Sequence, residues 1–121
     1  MTAPQITPAD VRAGVAREMR ALAEDGREGP DALQDAVEIT RAKIRNAPAL
    51  AERQANDGRC HACGEPLDGS RAEVAVLNPG GRALHMHGGA CHQAHSRRRA
   101  ALVDRIMAAA GYGAETTENA A

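Results

Sequence analysis

The sequence predicts an α+β fold, mostly α: an N-terminal helical hairpin, then a cysteine knuckle, a β-hairpin and one long helix. Three observations carry this reading. Two stretches before residue 46 place apolar residues at helical spacing, residues 59–89 are cut short by glycine and proline, and helical spacing returns after residue 90. The 121 residues include no Phe or Trp, and Tyr112 is the one Tyr. Aromatic side chains bury about 150–250 Å² each, so so small a chain without them needs helix association or a covalent or metal staple. A large barrel or a doubly wound sheet is excluded.

In Thr7-Pro8-Ala9-Asp10, Thr7 can cap a helix, Pro8 fits its first position and Asp10 meets free backbone N–H groups. A helix over 8–24 follows, with Val11, Val15, Met19 and Leu22 in one narrow stripe. Gly26 and Gly29-Pro30 break it. A second helix runs from Pro30 to Arg45 with Leu33, Val37, Thr40 and Ile44 on one face, and Pro48 opens a third, short helix to about Ala55, ended by Asn56-Asp57-Gly58. Two stripes too narrow to be buried alone predict an antiparallel helical hairpin, and they also offer a homodimer face. A DNA-reading helix-turn-helix needs a tighter turn than the acidic Glu24–Gly29 connection.

Glu73–Leu77 is the one strand-like run, and Arg82–Met86 can pair with it across Asn78-Pro79-Gly80-Gly81. The last helix starts near Gly89 or Ala90 and continues to about Ala110, burying Leu102, Val103, Ile106, Met107 and Ala110, with Gly111 ending it. The expected organisation is a helical hairpin region over 1–57, a zinc-finger-sized module with its helix over 58–112, and a disordered tail over 113–121.

Fifteen basic against sixteen acidic residues give a net charge of −1, unlike a basic nucleic-acid coat. Residues 59–110, however, hold seven basic and four acidic side chains, including Arg97, Arg98, Arg99 and Arg105 on the last helix. Those arginines are candidates for contact with phosphate or an acidic partner, against the simpler alternative of a solvated face. No run of about 18 apolar residues predicts a membrane span, and MTAPQITPAD does not read as a secretory leader. The expectation is a cytoplasmic protein, in which three cysteines serve as metal ligands or reactive thiols.

Cys60-His61-Ala62-Cys63-Gly64 is a Cys-x2-Cys knuckle, and Cys91 follows after the hairpin, at a helix start, with His85, His87, His92 and His95 around it. Zinc takes four N or S ligands in a tetrahedron. Three cysteines and one histidine supply them: Cys60, Cys63, Cys91 and His87, with His95 as the alternative fourth ligand and His85 and His92 behind it. A redox dithiol is the competing reading, but no thioredoxin-like βαβ pattern surrounds the pair.

This order of knuckle, hairpin and helix resembles a treble-clef zinc finger. The LIM-like variant spaces its last pair as His-x2-Cys, one residue shorter than His87-Gly88-Gly89-Ala90-Cys91. Residues 59–99 are also similar to HNH endonucleases, which share the treble clef and often end in a Cys-His dipeptide such as Cys91-His92. That family needs an Asp-His or His-His pair on the first hairpin strand to activate water, where this chain has Ala75-Val76-Leu77-Asn78.

With no nucleophile, base and orienter set, no phosphate-cradling glycine loop and no paired catalytic carboxylates, the chain is expected not to be an enzyme. The expected function is that of a small zinc-binding interaction or regulatory protein, bacterial or phage, engaging a protein or nucleic-acid complex through its basic helix. The alternative is a degenerate HNH-type, metal-dependent nuclease.

Overall fold

The computed structural model describes residues 6–53 and 58–113 of the chain. Three α-helices and a two-stranded antiparallel sheet make it α+β and mostly α. The expected tail lies outside the described residues, apart from Gly113.

Helix α1 (Pro8–Glu24) begins with a capping box: Asp10 N donates to Thr7 Oγ1 at 3.1 Å and Thr7 N donates to Asp10 Oδ2 at 3.0 Å. It ends in a Schellman motif, with Arg27 N donating to Leu22 O and Gly26 N to Ala23 O, the glycine at φ 83°. Five residues then lead to α2 (Pro30–Arg45). They reach at most about 18 Å, less than the ~24 Å length of a 16-residue helix, so two helices packed together on so short a tether run in opposite senses.

The packed faces are built from small residues. α1 buries Val11, Gly14, Val15 and Glu18, and α2 buries Ala32, Ala36, Thr40 and Ile44. The stripe expected on α2 is thus rotated by one position at its start. Leu33 is 43 % exposed and Val37 half-buried, while the alanines beside them take the interface. Close approach is the reason: a Cβ on Gly14 would stand 3.1 Å from Thr40 Cγ2, a spacing that leucine at the contact would prevent. Lys43 pairs with the buried Glu18 across this face, and Arg27 pairs with Asp35.

After a three-residue 3-10 turn at Pro48–Leu50 the backbone is extended at Ala51 and irregular through Arg53. The short helix expected to Ala55 therefore stops after one turn, and residues 54–57 lie outside the described set. Strands β1 (Glu73–Val76) and β2 (Leu84–His87) pair antiparallel with Val74 opposite Met86 and Val76 opposite Leu84. The pairing starts two residues later on β2 than the turn chemistry suggests, because Asn78 is buried and engaged elsewhere, as described below. α3 (Ala90–Ala109) closes with Tyr112 N donating to Met107 O and Gly111 N to Ala108 O.

Contacts divide the chain into two units, one drawn from Met1–Arg45 and Leu102–Ala121, the other from Asn46–Ala101. The first buries Val11, Val15, Ala32, Ala36, Ile44, Val103, Met107 and Ala110, and Arg41 pairs with Asp104 within it. The second has a smaller core of Cys60, Leu84, Met86 and Cys91, flanked by Leu67, Val74 and Val76. Two of those four core residues are cysteines. No helix among the described residues is long and apolar enough to cross a membrane.

Candidate metal centre

The knuckle is a tight turn held by its own backbone. Cys60 N donates to Glu65 O at 2.8 Å, Gly64 N to Cys60 O at 2.9 Å, and Arg59 bridges Pro66. His61 N donates to His85 O at 2.9 Å and docks the turn on β2, while Gly88 N donates to Ala72 O at 2.9 Å and fixes the far end of the hairpin. His87 ends β2, and Cys91 sits in the first turn of α3. These three elements bring one ligand atom each of Cys60, Cys63, His87 and Cys91 within 4.8 Å of one another, and the four could hold a metal ion.

The spacing suits such an ion. Zinc at about 2.3 Å from sulfur and 2.0–2.1 Å from nitrogen needs a tetrahedral S···N separation of about 3.6 Å, and Cys63 Sγ stands 3.5 Å from His87 Nδ1. The other ring nitrogen, His87 Nε2, is 3.3 Å from Pro66 O. A carbonyl only accepts, so Nε2 carries the proton and Nδ1 keeps its lone pair toward Cys63.

Electrostatics favour the thiolate at Cys60. Burial works against ionisation of Cys60, but donors from His87 N at 3.3 Å and Cys63 N at 3.5 Å, with the Ala62 backbone, bring its thiol down to about 6. Burial and the neighbouring Cys60 and Cys63 sulfurs push the Cys91 thiol up. Arg71 Nη2 lies 3.7 Å from Cys91 Sγ. A divalent ion would relieve the repulsion among three sulfurs this close. All three cysteines are free of disulfides.

Searches against family models, curated proteins and solved structures find no match to the chain.

The remaining candidates fall elsewhere. His95 is buried but joins a separate group with Glu52 and His61. His85 faces outward, 3.2 Å from Glu73, and His92 is half-buried. Of the arginines, Arg97 and Arg105 are exposed, Arg98 Nη2 donates to Glu52 Oε1 at 2.8 Å, and Arg99 is buried, donating to Leu50 O at 2.7 Å and Glu52 Oε2 at 3.1 Å. Three consecutive arginines point around a helix in three directions, so one of them meets the interior of its own unit.

Sequence reasoning missed Glu52 and Asn78. Asn78 Oδ1 accepts from Glu52 N at 2.8 Å and its Nδ2 donates to Glu52 O at 2.6 Å, a two-point clamp between residues 26 apart. Read as a turn residue, Asn78 carried no sign of this. Glu52 lies in a charged stretch with no motif around it. Burial acts to raise its pKa, but the His61 hydrogen bond and the Arg98 guanidinium win and hold its carboxyl at about 2.

Proposed function

We propose that Cys60, Cys63, His87 and Cys91 bind one structural zinc ion, and that the chain works by binding a protein or nucleic-acid complex and not by catalysis. The observation that carries the zinc reading is the His87 ring, whose proton is committed to Pro66 O while its other nitrogen faces the thiols. Sulfur-rich four-donor sets suit zinc above the hard cations. The ion would supply cohesion that a core of Leu84, Met86 and two cysteines lacks, since structural zinc carries roughly 10–16 kcal/mol of apparent binding energy into small folds.

Elemental analysis of protein purified without chelator tests this. About one zinc per chain is expected, lost in Cys63→Ser and His87→Ala. Less than about 0.2 zinc per chain, with helicity indifferent to chelator, would refute it. The binding role rests on the exposed Arg97 and Arg105 of α3. Arg97→Gln should weaken retention on mixed-sequence duplex DNA if nucleic acid is the partner, with the log–log salt slope reduced by about 0.9 per lost phosphate contact. The nuclease reading lacks its water-activating group, because β1 is Glu73-Val74-Ala75-Val76; plasmid nicking that depends on added Mg²⁺ or Mn²⁺ would revive it.

A further inference from the structure

Behind the knuckle, within the same unit, lies a second set of donors that the sulfur site does not use. Glu52 Oε1 is 2.9 Å from His61 Nε2, Glu52 Oε2 is 3.5 Å from His95 Nε2, and one ligand atom of each of the three residues lies within 4.8 Å of the others. The His95 side chain is only 3 % exposed and that of His61 9 %. Among the described residues neither ring nitrogen of His95 has a hydrogen-bond partner, although burying an imidazole without one is costly. A buried ring with no hydrogen bond and a carboxylate 3.5 Å away suits a bridging ligand.

We propose that Glu52, His61 and His95 form a second site for a divalent transition metal, of the two-imidazole, one-carboxylate type. Three arguments support it. The first is spacing: an ion about 2.1 Å from each donor places neighbouring donors about 3.0–3.4 Å apart, and each imidazole stands near that distance from its own oxygen of Glu52, at 2.9 and 3.5 Å, with one donor atom of each residue within 4.8 Å of the others. The second is the state of the carboxylate. Arg98 donates to Oε1 and Arg99 to Oε2, and His61 Nε2 is the second partner of Oε1; with two acceptor positions per oxygen, Oε2 keeps one open for the ion, and Oε1 regains one when the ion takes the place of the His61 hydrogen bond. Hydrogen bonds of this kind orient a ligating carboxylate.

The third is placement. Asn78 clamps the Glu52 backbone from both sides, so the carboxylate is brought to the imidazoles by a purpose-fitted contact and not by a wandering side chain. Nitrogen and carboxylate donors without sulfur suit zinc, nickel, cobalt or ferrous iron and not calcium, which prefers an all-oxygen cage. Three protein ligands leave at least one position open to water or an anion. The two arginines also lower the affinity for a cation, so this ion should bind more weakly than the one at the thiols.

Cobalt separates the two sites, because thiolate ligation produces intense near-ultraviolet charge-transfer absorption that nitrogen and oxygen ligation does not. Full-length protein loaded with one equivalent of zinc should take up one further, saturable equivalent of Co²⁺, visible in ligand-field bands without added charge transfer. Glu52→Gln and His95→Gln should each lose that equivalent, while cobalt added to their metal-free forms still develops the thiolate band, which also reports that the unit is folded. No saturable second equivalent in the wild type overturns the proposal whatever the variants do, and so does its persistence in both variants. Failure of the thiolate band alone would count against the zinc reading and leave the second equivalent to be scored independently.

Discussion

The Pro66 carbonyl, 3.3 Å from His87 Nε2, settles the tautomer of a ring whose Nδ1 faces Cys63 Sγ, and the backbone N–H groups aimed at Cys60 Sγ similarly prepare that sulfur. Their effect has a measurable sign. With its thiol lowered to about 6, Cys60 is already ionised at neutral pH and releases no proton to an arriving metal; below that value it does. The slope of log apparent zinc affinity against pH should therefore steepen by at least the one proton of Cys60 as the pH falls through about 6, as read by chelator competition from pH 5 to 8. A constant slope would contradict it. At this scale the cysteines were legible, because a Cys-x2-Cys knuckle and a third cysteine at a helix start are local patterns. Among the histidines His87 was the first candidate and is the one that joins the cysteines, while His95 stayed open beside it, since the choice depends on the strand register that places His87 opposite Glu73.

Helices were legible from caps and stops, and their faces less so. Thr7, Pro8 and Gly26 mark α1 correctly, but on α2 leucine and valine outweighed alanine in the reading, while the packing rewards whatever lets two backbones approach. Gly14 and Thr40 meet at that approach. Gly14→Leu should cost about 1–3 kcal/mol through overpacking, measured by denaturant melts of the zinc-loaded protein. Thr40→Val should do the reverse. Thr40 Oγ1 is buried with no hydrogen-bond partner among the described residues, so replacing the hydroxyl by a methyl of similar shape removes a buried polar group and should raise stability by about 1 kcal/mol. A loss of stability in Thr40→Val would show that the hydroxyl is satisfied in solution. The β-hairpin shows the opposite limit of sequence reading: its turn residues were visible, but the diversion of Asn78 to Glu52 is a contact 26 residues away that no local pattern announces.

For the whole molecule, the two units differ in what holds them. The unit built from α1, α2 and the end of α3 buries eight apolar side chains, whereas the other relies on Leu84, Met86 and the sulfur cluster. Chelation should therefore open the second unit first. Limited trypsin digestion after metal removal should cut at Arg59, Arg71 or Arg82 while residues 8–45 persist as a protected fragment. Equal protection with and without metal would refute this.

The donors of the sulfur site come in two short-range pairs, Cys60 with Cys63 and His87 with Cys91, and only the 24-residue separation between Cys63 and His87 has to be closed by the chain. Each pair is close in sequence and its donor atoms lie within 4.8 Å of one another, so an incoming ion would meet two short-range arms. Loop-closure entropy grows only logarithmically, and doubling such a loop costs about 0.6 kcal/mol. The exposed Asp68-Gly69-Ser70 turn within it is thus a permissive point for genetic insertion: a flexible epitope or a small folded domain placed there should leave metal uptake and the hairpin register intact, making this turn the natural place to attach a reporter.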